Sequence, residues 1–129
     1  MKTIVQIKEE HQNKLSALFD SLGIFFAFSN EQFEEGRKEG VKYANGGQGM
    51  LIPIDNVKEY VRRFSELEKD TEAEFAKHIP MDDYILYELN NHEAFYTWCT
   101  DDAYEVVKYR YPNCTPDDMK RVFKQFSNS

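Results

Sequence analysis

Apolar residues recur at three- and four-residue intervals along much of this chain, which is the spacing of helices that bury one face. Helix-end signals accompany this spacing. Thr3 and Gln6 have capping-box spacing, Gly23 closes the first stretch, and Pro116 follows the N-cap residue of the last stretch. The six predicted helices occupy residues 3–23, 29–36 or 29–40, 55–80, 81–93, 101–109 or 102–109, and 115–126.

Short runs typical of strands lie between these helices. Residues 24–28 form an apolar, aromatic run, and residues 41–44 and 50–54 flank the sequence Asn-Gly-Gly-Gln-Gly at 45–49. Asn-Gly and Gly-Gly favour the positive φ angles of a hairpin or a loose loop. Residues 94–98 also have an extended pattern. We therefore predict an α+β fold, in which a small antiparallel sheet of three or four short strands packs against about six helices.

The length and composition fit one domain. A chain of 129 residues buries roughly two-thirds of its unfolded surface when it folds. Ten Phe, eight Tyr and one Trp supply large rings, so the core needs few residues. We predict a single globular domain over residues 1–129.

The chain has no pattern of export or membrane insertion. The apolar run at the N-terminus breaks off after a few residues, and no stretch approaches the roughly eighteen apolar residues of a membrane span. The two cysteines, Cys99 and Cys114, lack Cys-x-x-Cys spacing, and a small secreted scaffold normally has more of them. The simplest interpretation is a reduced, cytoplasmic protein without membrane contact. A single Cys99–Cys114 disulfide is the alternative.

The formal net charge of −7 comes from one part of the chain. The thirty residues between Lys77 and Lys108, here called the acidic segment, contain no Lys or Arg, and the rest of the chain balances sixteen acidic against sixteen basic residues. The acidic residues of the segment are Asp82, Asp83, Glu88, Glu93, Asp101, Asp102 and Glu105. Such a segment repels nucleic acid and attracts cations or a basic protein surface. A local explanation also exists, because both Asp pairs lie where helices begin and stabilise the helix dipole there.

The densest polar cluster runs from Glu88 to Glu93. In a helix, Glu88 and His92 lie on one face, with about 5–6 Å between their Cβ atoms. A carboxylate beside an imidazole orients the ring or shares a metal ion with it. A zinc site needs three protein ligands, however, and Tyr96 stands where a His-Glu-x-x-His motif would place its second histidine. We therefore assign no catalytic residue, no metal ligand and no cofactor.

This cluster has two main interpretations. It is either a hydrogen-bonded structural cluster at a helix end or a binding site for a ligand or partner, and catalysis has the least support. The candidate binding residues are Glu88, Asn91, His92, Glu93, Tyr96 and Trp98.

Two further motifs receive structural interpretations. The glycine-rich stretch at 45–49 lacks the Gly-Lys-Ser/Thr ending of a phosphate-binding loop and precedes a predicted strand, so we interpret it as a flexible hairpin. Phe25, Phe26 and Phe28 have the spacing of a base-stacking platform. Such platforms lie in basic grooves, and the bases here are balanced by nearby acids, so core packing is the better explanation.

Two stretches carry a family resemblance: Phe-Phe-Ala-Phe-Ser-Asn-Glu-Gln-Phe-Glu-Glu-Gly at 25–36, and Tyr-Glu-Leu-Asn-Asn-His-Glu at 87–93 followed by Phe-Tyr-Thr at 95–97. They resemble a family of small domains of unknown function found in bacteria and their phages. The chain departs from the family pattern after Thr97, where Trp98 and Cys99 replace an expected Gly-Asp. The resemblance implies no activity, ligand or catalytic residue. It implies a phage or mobile-element setting, in which small acidic proteins often act on host machinery.

These observations lead to one main hypothesis. We expect a small acidic intracellular regulatory or interaction protein that binds the basic surface of a host protein or complex and modulates it. Aromatic residues in the acidic segment would anchor the contact. The candidate anchors are Tyr84, Tyr87, Tyr96 and Trp98.

Two other functions remain as alternatives. The first is a small-ligand or metal-binding domain, with hydrolase activity as one form, centred on Glu88–Glu93. The second is direct nucleic-acid binding through the mildly basic C-terminal helix, which the net charge opposes.

Overall fold

The computed structural model describes residues 1–127, which form an α+β fold with one small antiparallel sheet, as predicted. A one-turn 3-10 helix, Ile54–Asn56, leads into the longest helix, where a cap at Asp55 was predicted instead. The elements in chain order are α1 (Ile4–Leu22), β1 (Phe25–Phe26), α2 (Asn30–Gly36), β2 (Tyr43–Gly47), β3 (Met50–Pro53), α3 (Val57–His78), α4 (Met81–Asn91), α5 (Ala94–Thr97), α6 (Asp101–Arg110) and α7 (Pro116–Ser127).

The extended conformation predicted for residues 94–98 is wrong, because Ala94–Thr97 forms one helical turn. The Trp98 amide closes this turn by donating to the Ala94 carbonyl at 2.8 Å, and Ala94 itself is buried. Glu93 and Trp98, on either side of the turn, have left-handed backbones with φ angles of 54° and 58°. Five residues are too few for hydrophobic spacing to distinguish a helical turn from a strand.

The chain divides into two compact units, whose boundaries fall within α1 and α3. The sheet unit comprises Lys8–Lys69. The helical unit comprises Met1–Ile7 and the described residues from Asp70 onward. A single domain over residues 1–129 stays a prediction, and residues 128–129 lie outside the described part of the chain.

The sheet unit contains three antiparallel strands in the order β1-β3-β2. The β2–β3 connection turns through Gly47, Gln48 and Gly49, all with positive φ, which confirms the predicted hairpin. The buried core residues of this unit are Leu18, Leu22, Ile24, Ile52 and Leu67.

The first strand is shorter than predicted. The run at 24–28 yields only two strand residues, because only Phe25 and Phe26 pair with β3, and Ser29 then caps α2 by accepting the Gln32 amide at 3.1 Å. Phe25 packs against Tyr43 with ring centroids 5.2 Å apart, but Phe28 is 74% exposed. Core packing therefore explains Phe25 and not Phe28.

The helical unit has its own buried core, to which the first turn of α1, the end of α3, the one-turn α5 and the helices α4, α6 and α7 contribute. Its central helix, α4, packs against α5, α6 and α7. The predicted start of α7 is confirmed: the Thr115 hydroxyl accepts the Asp118 amide at 3.2 Å, and the Asp118 carboxylate accepts the Thr115 amide at 3.0 Å. The largest fully buried side chains of this unit are Tyr84, Phe75, Ile7, Ile85, Leu89, Met119, Glu88, Val107 and Val122.

Neither cysteine forms a disulfide: Cys99 is an exposed thiol and Cys114 is a buried one. Among the described residues, no helix combines the length and the apolar character that crossing a membrane requires.

Tyr111 ties the end of α6 to the last turn of α3 within the helical unit. Its hydroxyl donates to the Ile79 carbonyl oxygen at 2.6 Å and lies 3.2 Å from the Phe75 carbonyl oxygen. Burial raises the pKa of this hydroxyl to about 12, and the Asp83 carboxylate adds to the shift. The folded chain therefore holds this proton more tightly than the unfolded chain, in which tyrosine titrates near pH 10.

The stability that this proton contributes is fully present below pH 10 and is lost as the pH rises from 10 to 12. We expect the free energy of unfolding to fall over that range by roughly 1–3 kcal/mol more in the wild type than in Tyr111→Phe. Urea denaturation at several alkaline pH values measures the difference. Parallel pH profiles for the two proteins would contradict it.

Candidate functional site

Three polar side chains lie on one side of α4 because they are four residues apart. They are Tyr84 and Glu88 within the helix and His92, which caps its C-terminal end. Glu88 is only 1% exposed. Its Oε2 lies 3.3 Å from Nε2 of His92, and its carboxylate hydrogen-bonds with the Tyr84 side chain. Burial, followed by the Glu88 charge, raises the pKa of Tyr84, and the nearby Arg110 charge opposes this rise. The cluster is therefore a buried carboxylate surrounded by groups that satisfy it.

This arrangement orients His92 at the end of α4. The His92 side chain is 29% exposed, and its amide donates to the Glu88 carbonyl oxygen at 3.0 Å. Asn91 and Glu93 are exposed on either side. Within residues 1–127, no group of three or more His, Cys, Asp or Glu side chains is placed to hold a metal ion. Solvent therefore reaches the His92 ring but not the Glu88 carboxylate, and the contact between the two orients the imidazole.

The acidic segment divides into partnered and unpartnered carboxylates. The Arg121 guanidinium donates two hydrogen bonds of 2.7 Å to the Asp82 carboxylate and lowers the pKa of that carboxyl. Glu88 is the buried carboxylate described above. The other five acidic residues are exposed and make no ion pair with any residue in the described part of the chain. They are Asp83, Glu93, Asp101, Asp102 and Glu105.

The four aromatic residues proposed as anchors also differ in their exposure to solvent. Tyr84 is buried in the core and Tyr87 is half-buried against it, with ring centroids 6.2 Å apart. Tyr84 therefore cannot anchor a partner, which corrects the expectation from the sequence. Tyr96 and Trp98 are 89% and 76% exposed. The α5 turn and its left-handed flanks hold these two rings outward.

Two further aromatic rings, those of Phe95 and Phe123, lie next to Trp98. Phe95 of α5 stacks on Phe123 of α7 with centroids 5.0 Å apart, and Trp98 meets Phe123 edge to face at 5.7 Å. Phe95 and Phe123 are half-buried, so they link the exposed Trp98 to the core of the helical unit.

The exposed residues of this region are close together along the chain. Asp101 lies three positions after Trp98 in the chain, so their Cα atoms lie at most about 11 Å apart. Asp101 and Glu105 lie on one face of α6 because they are four residues apart. The acidic–aromatic surface, as it is called here, consists of Glu93, Tyr96, Trp98, Asp101, Asp102 and Glu105.

The six candidate residues differ in burial and in position, and their role in binding stays a prediction. Of the six candidate residues, Glu93, Tyr96 and Trp98 belong to the acidic–aromatic surface, and Asn91 and His92 adjoin them in sequence at the end of α4. Glu88 is sealed from solvent and cannot contact a partner directly. The carboxylates of α6 were not among the candidates, although the absence of Lys and Arg from this stretch signalled them. Nothing in the sequence marked Phe123, whose place in the apolar stripe of α7 looks like ordinary core.

Comparisons with known proteins place the chain in a family. No match was found among curated proteins or among solved structures. The model of the Family of unknown function (DUF7659) matches residues 7–128, which is nearly the whole chain, and the chain therefore belongs to that family.

Proposed function

We propose that this chain is a small, acidic, non-catalytic interaction protein of the cell interior, which binds the basic surface of another protein through its acidic–aromatic surface. The setting that we propose is a phage or mobile element, with the partner a host protein or complex whose activity is modulated or inhibited. The single observation that carries the proposal is the exposure of Tyr96 and Trp98 beside carboxylates that have no ion-pair partner in the described part of the chain.

The exposed rings supply the affinity in this proposal. Large rings that leave water at the centre of an interface contribute much of the binding free energy, and Trp and Tyr are the residues most often found there. Trp98 is held by Phe123 and by its position after the α5 turn, so binding requires little further ordering of this residue.

In this proposal the carboxylates steer the basic partner toward the surface and raise the rate of association. Exposed charges of one sign speed the encounter with an oppositely charged surface and repel like-charged molecules, including nucleic acid. Their effect extends over about 8 Å at physiological salt. The proposed contact is therefore faster and tighter at low ionic strength.

Charge neutralisation on the acidic–aromatic surface tests the proposal. We expect Glu93→Gln/Asp101→Asn/Glu105→Gln to retain a specific basic partner at least about tenfold less than the wild type, because each lost contact of a charge with a complementary surface weakens binding. Asp102 is kept so that α6 retains one carboxylate in its first turn. The measurement is affinity capture from cells of the host, quantified by mass spectrometry at low and moderate salt.

The matched control removes the same charge from the sheet unit. Glu9→Gln/Glu35→Gln/Glu39→Gln neutralises three exposed acids and brings the net charge to the same value of −4. A partner that is lost from the first variant and kept by the control supports the proposal. If every captured protein responds equally to the two variants, or does not respond to either, the acidic–aromatic surface is not a docking site.

A second candidate function is a ligand site at Glu88–Glu93. The observation in its favour is the 3.3 Å contact that holds the partly exposed His92 ring against the buried Glu88 carboxylate. Thermal shifts with metal ions and nucleotides test it. A shift that is present in the wild type and absent in a folded His92→Ala variant would support this site.

A further inference from the structure

We infer that the acidic–aromatic surface receives an arginine side chain of the partner protein, stacked on the ring of Trp98. This inference rests on the proposed function and specifies the chemistry of the group that is bound.

Trp98 has an open ring. Its one ring contact within residues 1–127 is the edge-to-face contact with Phe123, and about three quarters of the residue is exposed. Its left-handed backbone conformation is rare for a bulky residue. Because the ring stays in solvent, this conformation adds little buried apolar area to the core. Backbone conformations of this kind are typical of binding and recognition sites.

The chain covers other rings with its own cations but not this one. The guanidinium of Arg110 lies 5.0 Å from the ring centroid of Tyr109, and Nζ of Lys108 lies 5.7 Å from that of Tyr104. Trp is the aromatic residue that attracts cations most strongly. Across the described residues no Lys or Arg of the chain lies over Trp98, which is placed in a stretch without any basic residue. The chain's described residues therefore leave the ring of Trp98 open to a cation from another molecule.

The neighbouring carboxylates favour arginine over lysine. Glu93 and Asp101 lie within a few residues of Trp98 on either side, and neither is committed to an ion pair in the described part of the chain. A guanidinium group is planar, so it stacks on an indole while its edge donates two parallel hydrogen bonds to a carboxylate. An ammonium group is compact and strongly hydrated, so it does not do both.

Three synthetic peptides separate these contributions in a direct binding experiment with the full chain. They are five repeats of Gly-Arg, five repeats of Gly-Lys and five repeats of Gly-citrulline, the last being a neutral analogue of the first. Trp98 is the single tryptophan of the chain, so its fluorescence reports directly on this ring. We expect a saturable change in emission with the arginine peptide, a smaller one with the lysine peptide, and none with the citrulline peptide.

Variants then assign the contact to the ring. Measured by anisotropy of a labelled arginine peptide, Trp98→Leu should raise Kd about three- to thirtyfold, and Trp98→Phe should raise it less. The matched control is Phe28→Leu, which removes an equally exposed ring from the sheet unit and should change Kd less than about twofold.

The outcomes distinguish this inference from the proposed function. Equal affinity for the arginine and lysine peptides, or wild-type affinity of Trp98→Leu, overturns the arginine inference and leaves the acidic–aromatic surface as a docking site. Wild-type affinity of Glu93→Gln/Asp101→Asn/Glu105→Gln for the arginine peptide shows that these carboxylates do not hold the guanidinium, and it also overturns the arginine inference. The proposed function fails separately, when capture of the partner responds equally to this variant and to its matched control.

Discussion

Replacing Glu88 with alanine is expected to lower the free energy of unfolding by about 3–5 kcal/mol. Glu88 is almost fully buried, and its carboxylate satisfies His92 and Tyr84. Removing one member of a buried polar cluster leaves its partners without a hydrogen-bonding group and opens a cavity. Thermal or urea denaturation followed by circular dichroism measures the loss.

Two further variants serve as controls for the Glu88→Ala substitution. Glu105→Ala makes the same change at an exposed helical position and should alter stability by less than about 0.5 kcal/mol. Glu88→Gln keeps the volume and should cost less than Glu88→Ala. If Glu88→Ala is no less stable than Glu105→Ala, the cluster is not a structural one, and the ligand site at Glu88–Glu93 becomes the better interpretation.

Replacing Phe75 with alanine is expected to cost about 3–5 kcal/mol, which corresponds to a fall of about 10–20 °C in Tm. Phe75 is 1% exposed, and its ring centroid lies 4.9 Å from that of Tyr84 and 6.4 Å from that of Tyr111. The guanidinium of Arg110 lies 5.7 Å from the same ring. The substitution therefore removes the ring on which residues from α4 and α6 and the segment after α6 meet within the helical unit.

Phe28→Ala is the control for this prediction. The substitution is the same, but Phe28 is mostly exposed, so little buried area is lost and the change in Tm should be small. A Tm for Phe75→Ala as high as that for Phe28→Ala would mean that the core of the helical unit is not packed around Phe75. Retention of the arginine-peptide signal by both variants under folding conditions would show that the acidic–aromatic surface survives each substitution.

Local sequence signals predicted most helix ends correctly. The Thr3–Gln6 capping box forms in both directions, with the Thr3 amide donating to Gln6 at 2.9 Å and the Gln6 amide to Thr3 at 3.2 Å. Capping at Ser29 and Thr115 is also as predicted. These signals are readable because each hydrogen bond joins residues three positions apart, so the sequence itself contains both partners.

The short elements could not be predicted in the same way. A turn of four residues such as α5 has no periodicity, and its conformation depends on the burial of Ala94 and on two left-handed residues that the sequence does not mark. The length of β1 likewise depends on pairing with β3, where Phe25 lies opposite Leu51 and Phe26 opposite Met50. Pairing between segments that are distant in the chain leaves no local signal.

The sequence by itself determined the fold class, the positions of the main helices and the concentration of unbalanced acidic residues between Lys77 and Lys108, because these follow from composition and from interactions within a few residues. Only the tertiary structure decided which of those residues face solvent. Packing of α4 buried Glu88 and Tyr84, whereas the α5 turn left Tyr96 and Trp98 outside. Burial depends on which neighbours a side chain meets in the folded chain, and helical spacing alone does not identify those neighbours.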